Sequence, residues 1–282
     1  SAPAGYLRTL PAEIAVQALQ WSMESKENKQ TDGNDVKLLI QRNGETWLRA
    51  ATSPTYGRIY DSDVMEAVIN NIDQNIWKVP SASYSGTDPL RATTLYASDH
   101  DIFVFMVDEG REIEAGGERL KRGFYTWNSE VGASTYGLAA FTYDRVCDNR
   151  IIWNCGNFQE LRIRHTSGGP HRFMRQAAPA LKAFADSSSK IIEATIVKAK
   201  ATTVGKDRKA VMEWMAARGF TKGQANKAYD KALQDPRGYD PTSVWGLVQG
   251  VTDAAHDIGY QDDRIEMESK AGKLLDAITL AF

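Results

Sequence analysis

From Phe124 to Thr166 the chain reads FYTWNSEVGASTYGLAAFTYDRVCDNRIIWNCGNFQELRIRHT, an aromatic alternation of strand type that runs into a cluster of arginine and histidine. Alternation at period two sends successive side chains to opposite faces of a sheet. A chain with this segment at its centre must build a sheet and must also place the cations that the sheet carries. Charge along the chain is segregated. Residues 1–118 hold 10 Lys/Arg against 18 Asp/Glu, residues 119–239 hold 21 against 10, and residues 240–282 hold 3 against 8. A total of −2 thus conceals a basic middle of +11 between acidic flanks of −8 and −5. That is the footprint of a face built for an anionic partner, unless the acidic flanks pack over the basic middle on folding.

The remainder supplies a frame. At 282 residues, with 42% apolar and 25% charged side chains, the chain is long enough for one large domain or two modest ones with a sizeable core. No window holds 18 uncharged apolar residues, so no membrane-spanning helix is expected. The first residues, SAPAGYLRTL, lack the features of a secretory signal, and a cytoplasmic protein is expected. Residues Pro11 to Met23 have helical spacing, and two β-rich runs flank Asn43-Gly44 between Val36 and Thr52, a hairpin signal. Asp61 to Ile72 predicts a helix with an Asp or Ser cap, and Pro80 to Pro89 predicts a loop. From Thr93 the pattern is that of an antiparallel meander with a turn at Gly116-Gly117. Gly132 to Val146 also satisfies helical spacing, and a helix crossing the sheet is expected there. Beyond Gly168-Gly169-Pro170 the spacing is helical: Phe173 to Ala201, Asp207 to Arg218, Gly223 to Gln234, Thr242 to Gly259 and Asp262 to Ile278. The expected fold class is α+β, with a small antiparallel sheet and crossing helices in residues 1–168 and an all-helical region, residues 169–282, packed on the sheet.

Several segments resemble a phage- and plasmid-associated family known as domain of unknown function 932. They are ALQW at Ala18 to Trp21, SPTYGRIYDSD at Ser53 to Asp63, ASDHDIFVFMVD at Ala97 to Asp108, RGFYTWNSEVGASTYGLAAF at Arg122 to Phe141, VCDNRIIW at Val146 to Trp153, RIRHT at Arg162 to Thr166 and SVWGLVQGVTDAAH at Ser243 to His256. The resemblance implies a phage or plasmid setting and supplies no catalytic residue. The expected layout is similar to that of single-strand annealing proteins, an analogy of fold and setting only.

The expected nucleic-acid-binding residues are Arg145, Arg150, Trp153, Arg162, Arg164, His165, Arg172 and Arg175, with Lys121 and Arg122 from the run Arg119 to Arg122. Guanidinium groups neutralise phosphates, and aromatic rings such as Tyr143, Trp153 and Phe158 can stack on bases without a base code. Arg162 and Arg164 are two apart and share one face of a strand. The alternative is that these arginines pair with acids such as Asp144, Asp148 and Glu160 while the aromatics fill the core. Helices around Gly219 could form a helix-turn-helix presenting Lys222, Lys227 and Lys231, or simply part of a bundle. Asp99, Asp101 and Glu130 could hold metal ions in a nuclease, although SDHD also suits a turn. Cys147, Cys155, His165 and His171 lack the usual zinc spacing, so no metal site is expected. No Walker A loop, G-x-G-x-x-G, H-E-x-x-H or G-x-S-x-G is present, so neither catalytic residues nor a cofactor are expected. The expected function is a phage or plasmid DNA-binding protein, preferring single strands, as a homo-oligomeric recombination or annealing factor. A host-protein-binding or nucleic-acid-mimicking protein and a metal-dependent nuclease are the alternatives.

Overall fold

The computed structural model describes residues 27–32, 36–43, 45–79, 95–98, 100–144, 149–153, 160–259 and 261–279. The expectations for Pro11 to Met23 and Pro80 to Pro89 lie outside these residues. Two antiparallel sheets are present. The smaller joins β1 (Glu27–Asp32), β2 (Lys37–Asn43) and β3 (Glu45–Thr52) in that order, with a register shift between Leu39 and Ile40. The β2–β3 pair is the hairpin expected across Asn43-Gly44.

The larger sheet has eight strands, more than the small sheet expected. Its order is β10 (Asn149–Ile152), β9 (Tyr136–Asp144), β8 (Glu118–Asn128), β6 (Ile102–Asp108) and β4 (Trp77–Lys78), while β5 (Leu95–Ala97), β7 (Ile113–Ala115) and β11 (Leu161–Ile163) pair with β6, β8 and β9. The run IFVFMVD of β6 is buried at every position because both sheet faces are covered. Val104, Met106, Phe124, Leu138 and Ala140 point to the core shared with the helices. Phe103, Phe105, Tyr125, Trp127, Phe141 and Tyr143 form a second cluster on the opposite face. Burial on both faces also explains why the crossing helix expected at Gly132 to Val146 is instead strand β9. With both faces apolar, YGLAAFTYD loses its period-two signature and satisfies helical spacing by accident. Gly137 within it lies beneath the Trp127 ring, which occupies the space a Cβ needs.

Seven helices occur among the described residues: α1 (Asp61–Asn71), α2 (Gly169–Ala185), α3 (Lys190–Ala201), α4 (Arg208–Ala216), α5 (Lys222–Gln234), α6 (Val244–Ala255) and α7 (Gln261–Thr279). None is long and apolar enough to cross a membrane. On α2, Phe173, Ala177, Leu181 and Phe184 recur at helical spacing and are buried. The single long helix expected from Phe173 to Ala201 is broken, because the polar run Asp186 to Ser189 ends α2 before α3 begins. Helix α6 is buried almost all round and forms the axis of the helical layer. One continuous core takes residues from Ile59 to Leu275 and therefore from both sheet and helices.

Charged side chains fasten the helices to the sheet. Arg122 on β8 donates through Nε to Asp108 on β6 at 3.0 Å, and through its terminal nitrogens to the carbonyls of Phe184, Ser187 and Ala185 at 3.2, 2.6 and 2.6 Å. It thereby satisfies carbonyls at the end of α2 that have no intrahelical donor. Arg150 on β10 donates through Nε and Nη2 to Glu268 Oε1 on α7 at 3.1 and 3.0 Å, and Arg264 Nε reaches the same oxygen at 2.9 Å. Burial pulls the Arg150 guanidinium down to about 10 against the pull of Glu268. Removing one member of such a triad strands buried charge, at about 3–5 kcal/mol, whereas replacing all members with apolar residues is often neutral. Glu268→Gln should therefore lower the unfolding free energy by roughly that amount in urea titrations. The triple variant Arg150→Met, Arg264→Met, Glu268→Leu should recover most of the loss, and an undiminished loss would refute the attribution to stranded charge.

Candidate nucleic-acid interface

The structure divides the expected binding residues into two sets. Arg122 and Arg150 are held in the joints described above and reach no surface. Lys121 is also buried, with Nζ 2.5 Å from Glu109 Oε2. Trp153 is not a stacking platform: it is 4% exposed, belongs to the core and donates to Thr142 Oγ1 at 2.6 Å. His165 is buried as well, with Nδ1 accepting from the Ile59 amide at 3.3 Å. These five are corrections: Lys121, Arg122 and Arg150 are turned inward by a sheet covered on both faces and so need partners, while Trp153 and His165 are packed into the interior as uncharged rings. Arg145 lies outside the described residues, as do Cys147, Cys155, Phe158 and Asp99.

The second set stays at the surface. Arg162 and Arg164 follow one another on and just beyond β11, and Arg172 and Arg175 occupy the first turns of α2; all four are exposed. Arg172 Nη2 joins the two elements, donating to Arg164 O at 3.3 Å and Thr166 Oγ1 at 2.7 Å. Arg162 pairs with Glu160 at 2.7 Å and lies over the Trp127 ring, its Cζ 5.1 Å from the centroid. Among the described residues no carboxylate lies within ion-pair distance of Arg164, Arg172 or Arg175. Four exposed arginines thus lie on two elements, β11 with its following segment and the start of α2, that Arg172 joins, an arrangement termed the arginine edge.

Beneath this edge lies a polar cluster, most of whose members were not anticipated from the sequence. The loop Tyr56 to Ile59 docks on the segment that carries the arginines: Tyr56 bridges Thr166, and the Gly57 amide donates to His165 O at 3.0 Å. Only glycine fits at position 57, where a Cβ would overlap the Thr166 carbonyl oxygen. Tyr56 stacks on His165 with ring centroids 5.1 Å apart, and the Arg58 guanidinium lies over Tyr56. Arg58 donates to the Glu130 carbonyl. Glu130 Oε1 accepts from the Asp61 amide at 2.9 Å and Oε2 from Arg49 at 2.7 Å. Glu130 thus caps α1 in place of the Asp or Ser expected at that helix start, where Tyr60 gives no side-chain cap. Asn128 Nδ2 bridges Ile59 O at 2.9 Å and Asp61 Oδ1 at 2.7 Å.

Desolvation dominates the electrostatics of this cluster. Burial, reinforced by Glu130, raises the Asp61 carboxyl well above its ordinary range. Burial lowers His165 to about 4 and raises Tyr56 to about 12. His165 is accordingly neutral, and because Nδ1 accepts, its proton sits on Nε2. The sequence points to His165 and Glu130 in other roles, and the SPTYGRIYDSD segment carries Tyr56, Arg58 and Asp61.

The other candidates resolve plainly. Helices α4 and α5 form the helix pair around Gly219, but Lys227 reaches Asp257 at 3.1 Å and Lys231 reaches Asp253 at 3.3 Å, so both lysines pair with acids on and after α6. Lys222 remains exposed. Ser98 Oγ accepts from the amides of His100 and Asp101 and donates to Asp101 Oδ1 at 2.7 Å, which is the turn reading of SDHD. Among the described residues no group of three His, Cys, Asp or Glu is placed to hold a metal.

Two outcomes test the foundation of the edge. Gly57→Ala should cost about 1–3 kcal/mol through forced backbone displacement. A raised carboxyl pKa means stability that is complete below the unfolded value of 3.8 and lost as pH rises through the folded value. Asp61→Asn, which keeps an oxygen for Asn128, should therefore raise the melting temperature near neutral pH, with a gain that shrinks towards pH 4; a gain independent of pH would contradict the assignment. His165 has the opposite sign, since its contribution is lost as pH falls from 6.5 towards about 4.

No curated protein and no solved structure matches the chain. A family model described as a domain of unknown function matches residues 85–274, a stretch that holds most of the large sheet, all four exposed arginines and nearly all of the helical layer. The chain therefore belongs to the DUF932 family.

Proposed function

We propose that the protein binds nucleic acid, with a preference for single strands, through the edge formed by Arg162, Arg164, Arg172 and Arg175. The observation that carries this reading is the charge composition of that edge. From Leu161 to Ala185 the chain holds five cations, these four arginines and Lys182, and no Asp or Glu. All five are exposed, and no later acidic segment neutralises them in the way that Glu268 neutralises Arg150. A row of guanidinium groups with open hydrogen-bonding capacity recognises phosphate oxygens by charge and geometry, independent of base identity.

Single strands are favoured for a negative and a positive reason. The helix pair that could enter a major groove has Lys227 and Lys231 engaged by acids. Arg162, whose Cζ lies 5.1 Å from the Trp127 ring centroid, offers a guanidinium group against which an unstacked base can lie. In a phage or plasmid setting such binding suits strand annealing or recombination, with several copies along one strand.

For single strands the slope of log affinity against log salt is about −0.7 per neutralised phosphate, so four contacts give roughly −2.8. The double variant Arg164→Ala, Arg175→Ala should reduce the slope by about 1.4 while leaving the melting temperature unchanged, since neither side chain is buried. Fluorescence anisotropy with a labelled oligonucleotide measures this. A slope near zero, or one unaltered in the variant, would overturn the proposal.

A further inference from the structure

Where β11 joins the large sheet, three strands place Trp127 of β8, Gly137 of β9 and Arg162 of β11 on one rung: Gly137 pairs with Trp127 on one side and with Arg162 on the other. Directly paired residues direct their side chains to the same face of a sheet. Two strands apart the backbones are separated by roughly 10 Å, so a side chain on the middle strand ordinarily stands between such residues. Gly137 removes that obstacle. The Trp127 indole lies over it, with Cε2, Cζ2 and Cη2 in the space a Cβ would take. Arg162 Cζ is 5.1 Å from the ring centroid, within the roughly 6 Å over which a cation is drawn to an aromatic face.

The ring is itself held in a row. Tyr125 stacks on Trp127 with centroids 5.0 Å apart, and Phe105 stacks on Tyr125 at 5.2 Å. The row begins at buried Arg150, whose Cζ is 4.1 Å from the Phe105 centroid, and ends at Arg162, whose side chain is 62% exposed. Trp127 is 6% exposed, so what it offers a partner it offers through Arg162. Glu160 adds a second tether, accepting from Arg162 Nε at 2.8 Å. Among the described residues no aromatic ring backs Arg164, Arg172 or Arg175 in this way.

The four exposed arginines are therefore not equivalent. A guanidinium group is weakly hydrated and stacks on π faces, and one already tethered loses less freedom when a ligand arrives. Phosphates are common to single strands and duplexes, whereas base faces are open only where bases are unpaired. We propose that Trp127, lying over Gly137, is a positioning residue that makes Arg162 the base-stacking element of the arginine edge and so sets a preference for unpaired over paired strands. This rests on the nucleic-acid reading and assigns the recognition of bases within it.

The test compares a labelled single-stranded oligonucleotide with its duplex by fluorescence anisotropy, using the full chain. Arg162→Lys keeps the charge and loses the planar group. It should weaken single-strand binding about tenfold, within the range for loss of one stacked base, with the salt slope and the duplex affinity little changed. Trp127→Leu should give a similar loss, and Trp127→Phe, which keeps a ring, should recover most of it. The double variant Trp127→Leu, Arg162→Lys should bind no more weakly than either single variant, because both changes act on one contact. A merely structural role for Trp127 would weaken binding to both ligands together and would add to the effect of Arg162→Lys. Additive losses, an equal fall on single strand and duplex, or no loss in Arg162→Lys would overturn the proposal. Arg162→Lys decides the matter even if Trp127→Leu does not fold, since that side chain lies at the surface. A normal salt slope with an unaltered ratio of the two affinities sinks this inference alone, whereas a slope near zero in the unaltered chain removes the nucleic-acid reading beneath it.

Discussion

The architecture depends on guanidinium groups that are removed from water and therefore must be paired. An isolated buried cation is prohibitively unfavourable, so each arginine that the central strands turn inward demands a carboxylate or a set of carbonyls from elsewhere. Arg122 finds both Asp108 and the carbonyl end of α2, and Arg150 finds Glu268 on α7. Apolar packing alone tolerates small slides of a helix across a sheet. A hydrogen-bonded charge joint is satisfied in one arrangement, so α2 and α7 are located as well as attached. Arg237 to Asp144 and Lys200 to Glu118 repeat the device at the solvent margin, where each pair contributes less.

The same demand accounts for what remains outside. Cations on the covered strands are consumed in joints; those on β11 and the first turns of α2 lie past the covered region and keep their charge. Their placement is not left to a flexible loop. The Tyr56 to Ile59 segment, with Gly57 against Thr166 and Glu130 capping α1, holds the backbone of the edge from below. His165 and Asp61 are both buried in this foundation, which suits a rigid support better than a solvent-facing contact. A backbone already held in place loses less conformational freedom on meeting a phosphate than one ordered at the moment of contact.

Much of the fold was legible because local physics decided it. The hairpin at Asn43-Gly44, the Gly116-Gly117 turn, strands β6 and β8 and most helix starts follow from residue types that act over a few positions. Strand β9 was illegible because a strand buried on both faces has no period to read. The polar run that ends α2 is local, but the placement of that end depends on Arg122, more than 60 residues away, which donates to the Phe184 carbonyl. The site was half legible for the same reason. Arg162 and Arg150 look alike in sequence, and only the position of Glu268, 118 residues from Arg150, separates a surface contact from a structural joint.

The segregation of charge along the sequence therefore has two physical outcomes in one chain. The acidic flanks are largely a source of partners: Asp108, Glu109 and Glu118 precede the basic middle, and Asp253, Asp257 and Glu268 follow it. Folding brings these flanks onto the middle and cancels most of its excess. Cancellation is incomplete at residues 161–185, which lack acids of their own and where only Arg162 meets an acid, Glu160, as it is at separate exposed lysines such as Lys206 and Lys222. Charge that survives such a pairing process on one contiguous edge, over a preformed support, is a stronger indication of an anionic partner than the basic composition from which the sequence argument began.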